Sequence, residues 1–474
     1  MVKVLFLQNH VYESQGIMWL SAALKKAGHS TDVLIKNVDK DIVISSTKSN
    51  ADIIAFSTTD THKWVLSVAK EIKKKSNKLI IVGGQHATFF PEIINSPFID
   101  IVGMGECEEA MVELANKLDL REDITKIKNL IIKKDGKIYS NELRPLIENL
   151  SSLGSPDREI YYNKYSYLRN FTLKGFFTGR GCPYNCTFCF NHSFKKLYTG
   201  KGKYVRKRYT WEVINEIKEM KRKYPLKTIL FIDDTFIIDK RWVAKFIEMY
   251  KREIRLPFIC QIRADLADEK IIRILKYGGC KMVFFGLESG NTYLRTSILK
   301  KGITNDQIIN TARILRKEGI KFRTYNMLGL PGETMVNAWE TVHLNQKIRP
   351  NFPCCAIMQP HPKTEIYQTC VDMKLISSSC SPDEIRQSFY FGKAISKDAQ
   401  QMENLQKLFI YAVKFPSFEP LIKKLIKLKP NFLFNMVFIA AMYMQSESSD
   451  IFQKATFEYA RNIIKSLVSG FRNL

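Results

Sequence analysis

Residues 179–193, "GRGCPYNCTFCFNHS", concentrate side chains that bind metals. Cys182, Cys186 and Cys189 follow the spacing C-x3-C-x2-C, and His192 comes three residues later. Zinc would use all four side chains in a closed tetrahedral site. A [4Fe–4S] cluster normally takes four thiolates, so three cysteines would leave one iron open for a substrate or cofactor. The spacing alone fits both kinds of site.

Two series of alternating strands and helices must position this stretch. Residues 1–140 alternate short apolar runs with helical patterns, which predicts a parallel, doubly wound sheet of the Rossmann type. A second series of six strand–helix units fills residues 171–375, which predicts a partial (β/α)6 barrel. Barrels of this kind place their chemistry at the carboxyl ends of the strands, and the cysteines follow the first strand.

The expected fold class is therefore α/β, with four segments. A Rossmann-like domain (1–140) is followed by a linker (141–170), the partial barrel (171–375) and a helical C-terminal domain (376–474). The helices of the barrel are expected to begin near five residues, with Thr210, Asp239 and Thr304 as N-caps. These five residues are Trp211, Asp239, Asp268, Thr304 and Thr334.

Composition narrows the class of protein. The 474 residues carry a net charge of +26, which suits an acidic partner or reflects a lysine-rich proteome. The ten cysteines do not form a disulfide framework, so we expect a reducing, cytoplasmic setting. No apolar run is long enough to span a membrane. The basic and apolar tail predicts either burial against the barrel or peripheral membrane contact.

The cysteine loop and the later strand ends resemble the radical S-adenosylmethionine superfamily, in its cobalamin-dependent branch. The loop resembles that family's cluster loop down to Phe188, the aromatic residue before the third cysteine. Five further motifs match at the expected strand ends: "FIDDTF", "QIRAD", "FGLESGN", "LGLPGET" and "QPHPKT". The resemblance implies a [4Fe–4S] cluster on the three cysteines and S-adenosylmethionine on the open iron, whose reductive cleavage gives a 5′-deoxyadenosyl radical. Zinc is then set aside.

The same resemblance implies residues that bind S-adenosylmethionine. Glu288 and Ser289 would hydrogen-bond the ribose, and Asp233 and Asp234 would hold the methionine ammonium group. Arg263 would meet the methionine carboxylate. Gly329, in the "LGLPGE" turn, would bring the backbone near the adenine. The alternatives are a solvated, helix-capping turn for the two aspartates and a structural ion pair for the arginine.

The first 140 residues resemble the cobalamin-binding domain of this branch. The implied cobalamin contacts are Ser57, Thr58, Gly83, Gly84, His86, Gly103, Gly105 and Glu106. Many cobalamin proteins ligate cobalt through the histidine of Asp-x-His-x-x-Gly. Here the nearest approach, Asp60-Thr61-His62, is interpreted as a helix start. We therefore expect cobalt without a histidine ligand from the protein, and His86 along the nucleotide tail.

The resemblance implies an enzyme that methylates an unactivated carbon, using two molecules of S-adenosylmethionine per turnover. The alternative is a cyclase or oxidase, of a tetrapyrrole-like or other substrate, that keeps the same cofactors without methyl transfer. A cobalamin sensor without catalysis is disfavoured, because it needs no open iron. We expect a small-molecule or lipid substrate and an electron donor such as flavodoxin or ferredoxin. A nucleic-acid substrate is not expected, because tRNA methylthiotransferases hold a second cluster on three N-terminal cysteines and this domain has only Cys107.

Overall fold

The computed structural model describes residues 1–59, 61–377 and 392–447. These residues form two compact units. The first holds Met1–Phe171 together with Tyr198–Lys203, and the second holds the other described residues from Thr172 onward. Each unit is built around its own parallel sheet, as the alternating pattern predicts.

The first unit contains a seven-stranded sheet in the order β2-β1-β3-β4-β5-β6-β7. Strands β1 to β5 are parallel, and β6 and β7 add an antiparallel hairpin that the sequence pattern did not predict. The strands are β1 (Lys3–Gln8), β2 (Ser30–Ile35), β3 (Ile53–Ser57), β4 (Leu79–Gly83), β5 (Ile101–Gly103), β6 (Leu130–Lys134) and β7 (Lys137–Ser140). The helices are α1 (Gln15–Lys26), α2 (Ile42–Lys48), α3 (His62–Lys73), α4 (Gln85–Phe89), α5 (Glu108–Asp119), α6 (Glu159–Tyr162) and α7 (Ser166–Arg169).

Residues 141–170, expected to be a linker, belong to the first unit. Their tyrosines hold the loop that follows β1. The Tyr161 hydroxyl donates to Gln8 Oε1 at 2.6 Å, and the Tyr167 hydroxyl donates to the Val11 carbonyl at 2.7 Å. Tyr161 and Tyr167 are almost fully buried. Because aromatic residues with a polar tip can bridge a core and a loop, this segment fixes one loop at the carboxyl edge of the sheet.

The second unit contains a six-stranded parallel sheet in the order β15-β14-β13-β12-β11-β8, which confirms the predicted partial barrel. Its strands are β8 (Leu173–Phe176), β11 (Thr228–Phe231), β12 (Phe258–Gln261), β13 (Cys280–Glu288), β14 (Lys321–Leu328) and β15 (Phe352–Ile357), with the small pair β9 (Gly179–Arg180) and β10 (Arg206–Lys207). The helices are α8 (Phe190–Leu197), α9 (Thr210–Lys223), α10 (Lys240–Glu253), α11 (Glu269–Gly278), α12 (Asn305–Lys317), α13 (Met335–Ile348), α14 (Glu365–Asp372), α15 (Ala399–Lys414), α16 (Glu419–Leu425) and α17 (Phe432–Glu447).

Helix starts in the second unit follow the side chains that the sequence indicates. Asp239 caps α10 by accepting from Trp242 N at 2.9 Å, and Thr304 forms a reciprocal capping box on α12. The expected cap at Thr210 is wrong by one position. Tyr209 precedes α9 with extended backbone, and Thr210 is the first helical residue.

The C-terminal helices divide their apolar residues between two faces. On α17, Phe434, Phe438 and Ala441 are buried, whereas Phe432 and Met436 are exposed. One face therefore packs as the burial hypothesis expects, and the opposite face remains exposed. Across the described residues, none of the helices combines the length and the apolar character that crossing a membrane requires.

Candidate functional site

The cysteine loop is held by backbone hydrogen bonds to its neighbours in the second unit. Cys189 N donates to the Cys186 carbonyl at 3.1 Å, which closes a turn between the two thiols. Thr187, between them, donates its N–H to the Leu299 carbonyl at 3.0 Å and accepts at its own carbonyl from Ile366 N at 3.0 Å. The loop is thus anchored on both sides before any metal binds.

The loop offers a metal three thiols, because His192 faces a carboxylate. Among residues 1–59, 61–377 and 392–447, no group of three or more His, Cys, Asp and Glu side chains lies close enough to hold one metal ion. His192 instead places Nδ1 3.6 Å from Glu365 Oε2. In a [4Fe–4S] cluster each thiolate binds a different iron, so the thiols need no common point. Burial raises the pKa of Cys189 to about 11, so metal binding must drive its deprotonation.

Arg263 lies beside the cysteine loop with all three guanidinium nitrogens engaged. Nε and Nη2 contact the Asp265 carboxylate at 3.0 and 3.2 Å, Nη2 also donates to the Lys301 carbonyl at 2.8 Å, and Nη1 lies 3.8 Å from Cys186 Sγ. The guanidinium carbon is 3.4 Å from the ring centroid of Tyr184. A structural ion pair, the alternative weighed for this residue, is present, and it points the remaining nitrogen at a cluster thiol.

The two aspartates after β11 have different surroundings. Asp233 accepts from Thr178 Oγ1 at 2.6 Å and from Lys207 Nζ at 3.1 Å. Its carboxylate therefore binds both the segment after β8 and strand β10. The Asp234 side chain is exposed and accepts a hydrogen bond from Asn191; desolvation by the surrounding residues raises its pKa, and the hydrogen bond opposes that effect. It is also close enough to Cys182 to raise the pKa of that thiol, although burial is the larger cause. Of the two, Asp234 keeps the better position for a ligand ammonium group.

Glu288 and Ser289 end strand β13 at the carboxyl edge. Glu288 is buried and has φ of 65°, and its Oε1 accepts from Lys301 Nζ at 2.6 Å. A Cβ at Gly286 would lie 1.9 Å from that same oxygen, so glycine makes room for the pair. Within the described chain, Oε2 makes no hydrogen bond, which leaves an acceptor for a ribose diol. Lys301 went unnoticed in the sequence because it sits in a plain "LKKG" run.

The turn after β14 is built on a buried carboxyl group. Gly329 has φ of 79°, and a Cβ there would lie 3.1 Å from the Ala394 Cβ. The N–H groups of Gly329 and Leu330 donate to Glu333 Oε2 at 2.6 and 3.0 Å. Burial raises the pKa of Glu333 to about 8. Gly329 therefore shapes the predicted tight turn, and its approach to the adenine stays a prediction.

In the first unit, the loops after β3 and β4 are bonded to each other. Thr58 N donates to the Gly83 carbonyl at 3.0 Å, and His86 N donates to the Thr58 carbonyl at 3.1 Å. A Cβ at Gly84 would lie 2.6 Å from the Thr58 carbonyl oxygen, and one at Gly83 would lie 3.9 Å from the Phe56 carbonyl oxygen. Ser57 lies at the end of β3, and its Oγ would lie 3.3 Å from a Cβ added at Gly84. His86 is buried and stacks on His62, with ring centroids 4.2 Å apart.

The loop after β5 is completed by a residue from far along the chain. The buried Tyr198 hydroxyl accepts from Glu106 N at 2.9 Å, and Gly105 N donates to Thr88 Oγ1 at 3.0 Å. A Cβ at Gly105 would overlap the Tyr198 hydroxyl, and one at Gly103 would lie 3.1 Å from the Cys107 Sγ. The sequence reasoning missed Tyr198, because it comes directly after α8 within the basic stretch of residues 195–208 and carries no motif.

Two family models match the chain. The model of the Radical SAM superfamily matches residues 176–344, and that of the B12 binding domain matches residues 9–115. Both matched ranges contain the loops described above, and together they cover more than half of the chain. The chain belongs to the cobalamin-dependent radical S-adenosylmethionine enzymes.

Individual members of these enzymes are distant from this one. An uncharacterized methyltransferase of Pyrococcus horikoshii is 29% identical over 72% of each chain. The anaerobic magnesium-protoporphyrin IX monomethyl ester cyclase of Rubrivivax gelatinosus is 24% identical, over 75% of this chain and 66% of the cyclase, just under two thirds of its length. The radical S-adenosylmethionine methyltransferase TsrM of Kitasatospora setae, solved with cobalamin and a [4Fe–4S] cluster, has a TM-score of 0.70. The two sequences are 15% identical, and the structural match covers 94% of this chain and 99% of TsrM. This likeness supports the fold.

The cofactors of cobalamin-dependent radical S-adenosylmethionine enzymes are a [4Fe–4S] cluster, S-adenosylmethionine and cobalamin, and this enzyme uses all three. The side chains present fit them. Three thiols without a shared ion site suit the cluster, and the Glu288 acceptor suits a ribose. The glycine turns after β4 and β5 allow a bulky ligand to approach the backbone. Which residues touch each cofactor remains a prediction.

Proposed function

We propose that this enzyme methylates an unactivated carbon of a small molecule. The observation that carries the proposal is Arg263, which contacts Cys186 Sγ in the cluster loop and donates to the carbonyl of Lys301, the residue that pairs with Glu288. The fold of TsrM and the 29% identity to a protein named as a methyltransferase support methyl transfer. When bound, the three cofactors supply a radical that removes hydrogen and a methyl donor that replaces it.

In this proposal, the chain's own residues bind S-adenosylmethionine and orient it. Asp234 and Arg263 would face the amino-acid end of S-adenosylmethionine, and Glu288 would accept from its ribose through Oε2. Lys301 positions Glu288, because a buried carboxylate without its partner is strongly disfavoured. Asp233 has a structural role instead, since Thr178 and Lys207 already engage it.

A cyclase or oxidase is the second candidate, and the similarity to the Rubrivivax cyclase supports it. Product counting separates the two. A methylase should give one 5′-deoxyadenosine and one S-adenosylhomocysteine per product, because the radical only removes hydrogen and the methyl group needs its own donor. The measurement is a time course of both nucleosides by liquid chromatography with the true substrate. S-adenosylhomocysteine at background while product accumulates would favour the cyclase.

We also propose that a flavodoxin or ferredoxin docks beside the cluster loop. We call Lys195, Lys196, Lys300 and Lys363 the lysine collar; Lys196 lies on α8 directly after the loop, and the other three contact the loop or adjoin a residue that does. Lys195 Nζ donates to the Pro183 carbonyl at 2.7 Å. Lys300 follows Leu299, the acceptor of the Thr187 N–H, and the Lys363 carbonyl accepts from Ser193 Oγ at 2.8 Å. Lys196, Lys300 and Lys363 are exposed. An acidic donor protein bound there would give up one electron to the cluster.

The collar predicts a loss specific to the protein donor. The double variant Lys196→Glu/Lys363→Glu should raise the KM for reduced flavodoxin about tenfold, because like charges oppose encounter. Cleavage driven by dithionite should stay at the wild-type rate, since a small reductant needs no docking surface.

The control is Lys245→Glu/Lys281→Glu, which makes the same charge change at exposed positions of the same unit. Lys245 lies on α10, and Lys281 lies at the amino end of β13, away from the carboxyl edge. An equal rise in KM in both double variants would show that only net charge matters and would remove the collar from the proposal.

A cytoplasmic setting is part of the same proposal. The nine cysteines in the described part of the chain are all free thiols, which suits a reducing compartment. An oxygen-sensitive cluster and a protein electron donor would both operate there.

A further inference from the structure

Strand β14 shows two chemically different faces. Phe322, Thr324, Asn326 and Leu328 are buried, and this face packs on α13, where Thr324 Oγ1 donates to Asn345 Oδ1 at 2.7 Å. The alternate residues are half-buried and point to the opposite, inner face of the partial barrel. These alternate residues are Lys321, Arg323, Tyr325 and Met327.

Arg323 is flanked on that inner face by aromatic rings. It pairs in register with Phe284 on β13 and with Phe352 on β15. Its guanidinium carbon lies 5.1 Å from the Phe284 ring centroid and 5.7 Å from that of Phe352. The Tyr325 hydroxyl is within hydrogen-bonding reach of the guanidinium. Aromatic faces attract a cation but cannot replace a counter-charge.

The charge of Arg323 is left without a carboxylate. Its Nε is enclosed and has no hydrogen-bond partner, and among the described residues no acidic side chain forms an ion pair with it. Two cations at the carboxyl ends of neighbouring strands do have a carboxylate, since Arg263 pairs with Asp265 and Lys301 pairs with Glu288. An enclosed N–H without a hydrogen-bond partner is unfavourable, and an anion that joined this half-buried guanidinium would supply both the missing acceptor and the missing counter-charge.

We propose that Arg323 binds an anionic group of the substrate, a carboxylate or a phosphate, inside the barrel. Gln261 and Tyr325 lie on the same inner face and would add neutral hydrogen bonds. Gln261 pairs in register with Phe284, and its side-chain amide makes no hydrogen bond within the part of the chain that the structure describes. This inference deepens the proposed function and rests on it for the reaction that the bound molecule undergoes.

The register of β13 and β14 also indicates the distance between the proposed anion site and the predicted ribose contact. Glu288 pairs with Asn326, three residues beyond Arg323 along β14. At about 3.3 Å per residue, this places the predicted ribose contact about 10 Å further along the strand. A substrate anchored by its acid at Arg323 would therefore reach the cofactor end with a carbon several bonds away from that acid.

Anion binding can be measured without any turnover. Inorganic phosphate and acetate are titrated calorimetrically into the anaerobically reconstituted full-length protein at constant ionic strength. Wild type should bind at least one of them saturably. Arg323→Gln should weaken that binding at least tenfold, because a charge-assisted and bidentate contact is lost. Preference for phosphate or for acetate then tells the two anionic groups apart.

Arg313→Gln is the matched control, since Arg313 lies on the outside of the unit on α12 and is 58% exposed. Its anion affinity should equal that of wild type. Arg323→Lys keeps the charge without the planar fork and should bind several-fold more weakly than wild type, which tests the site even if Arg323→Gln does not fold. Unchanged affinity in Arg323→Lys, or in a folded Arg323→Gln, would overturn the proposal.

Absence of saturable binding of both anions to wild type would overturn it equally. The proposed function is judged separately, by 5′-deoxyadenosine formed with dithionite. Wild-type protein that binds phosphate but does not cleave S-adenosylmethionine contradicts the function and leaves the anion site standing. Protein that cleaves it but binds neither anion contradicts the anion site alone.

Discussion

Cys186→Ala should abolish reductive cleavage of S-adenosylmethionine, with a loss of about three orders of magnitude or more. Cys186 is the buried thiol of the loop, and Arg263 Nη1 lies 3.8 Å from it. With two thiolates left, the cluster loses one of its iron–protein bonds and the open iron is no longer defined. The measurements are iron and sulfide content after anaerobic reconstitution, expected at about four each in wild type, and 5′-deoxyadenosine formed with dithionite.

His192→Ala is the matched control, because His192 belongs to the same loop and would be a ligand only in a zinc site. Its imidazole faces Glu365, and burial lowers its pKa, with Lys196 and Lys195 adding to that effect. The variant should keep full iron content and cleavage. An iron-free, zinc-loaded protein that remains active, or loss of the metal in His192→Ala, would contradict the cluster assignment.

Gly84→Ala should lower cobalamin affinity by about one to two orders of magnitude. Gly84 has φ of 95° and ψ of −169°, a conformation that only glycine adopts readily and that costs another residue about 1–3 kcal/mol. The new Cβ would also lie 2.6 Å from the Thr58 carbonyl oxygen, which is backbone and cannot rotate away. Each 1.4 kcal/mol expressed in binding is tenfold in Kd. Equilibrium binding of hydroxocobalamin, followed by absorbance, measures it.

Gly16→Ala provides the comparison, since nothing lies within 4 Å of the Cβ position of this helical glycine. It should bind cobalamin as wild type does. Both variants should still cleave S-adenosylmethionine, because the cysteine loop lies in the other unit. Undiminished cobalamin binding by a folded Gly84→Ala would show that the loops after β3 and β4 are not part of the cobalamin site.

The sequence predicted the alternation of strands and helices and the two parallel sheets well, because buried parallel strands have continuous apolar runs and their helices have clear caps. The six-stranded sheet and the caps at Asp239 and Thr304 follow from such local signals. The β6–β7 hairpin was missed because β7, with the sequence "KIYS", has no buried residue and therefore no pattern. The tyrosines of residues 159–167 were missed for a different reason: their hydroxyl partners are more than 100 residues away.

The candidate site was also predicted where local signals exist and missed where distant partners decide. The motifs correctly indicated which strand ends carry unusual polar residues. They did not separate Asp233, used by Thr178 and Lys207, from Asp234, because the two are identical in type and adjacent. Nor could they find Arg323, whose significance comes from its enclosed, unpartnered Nε and from the lack of a carboxylate paired with it among the residues that the structure describes. Pairing partners are properties of three-dimensional packing, and a single sequence does not contain them in readable form.

Residues Tyr198–Lys203 belong to the first unit but are synthesised after the start of the second, so the first unit is completed late. The residues up to Phe171 can begin to fold as they leave the ribosome, yet the Glu106 N–H can donate to the Tyr198 hydroxyl only after the cysteine loop and helix α8 have been made. At 5–20 residues per second, the chain needs about 2–6 s to extend from residue 171 to residue 203. A nascent chain therefore passes through a stage in which the loop after β5 is unfinished. Chains shortened at residue 171 would lack Tyr198 and would keep that loop unfinished permanently.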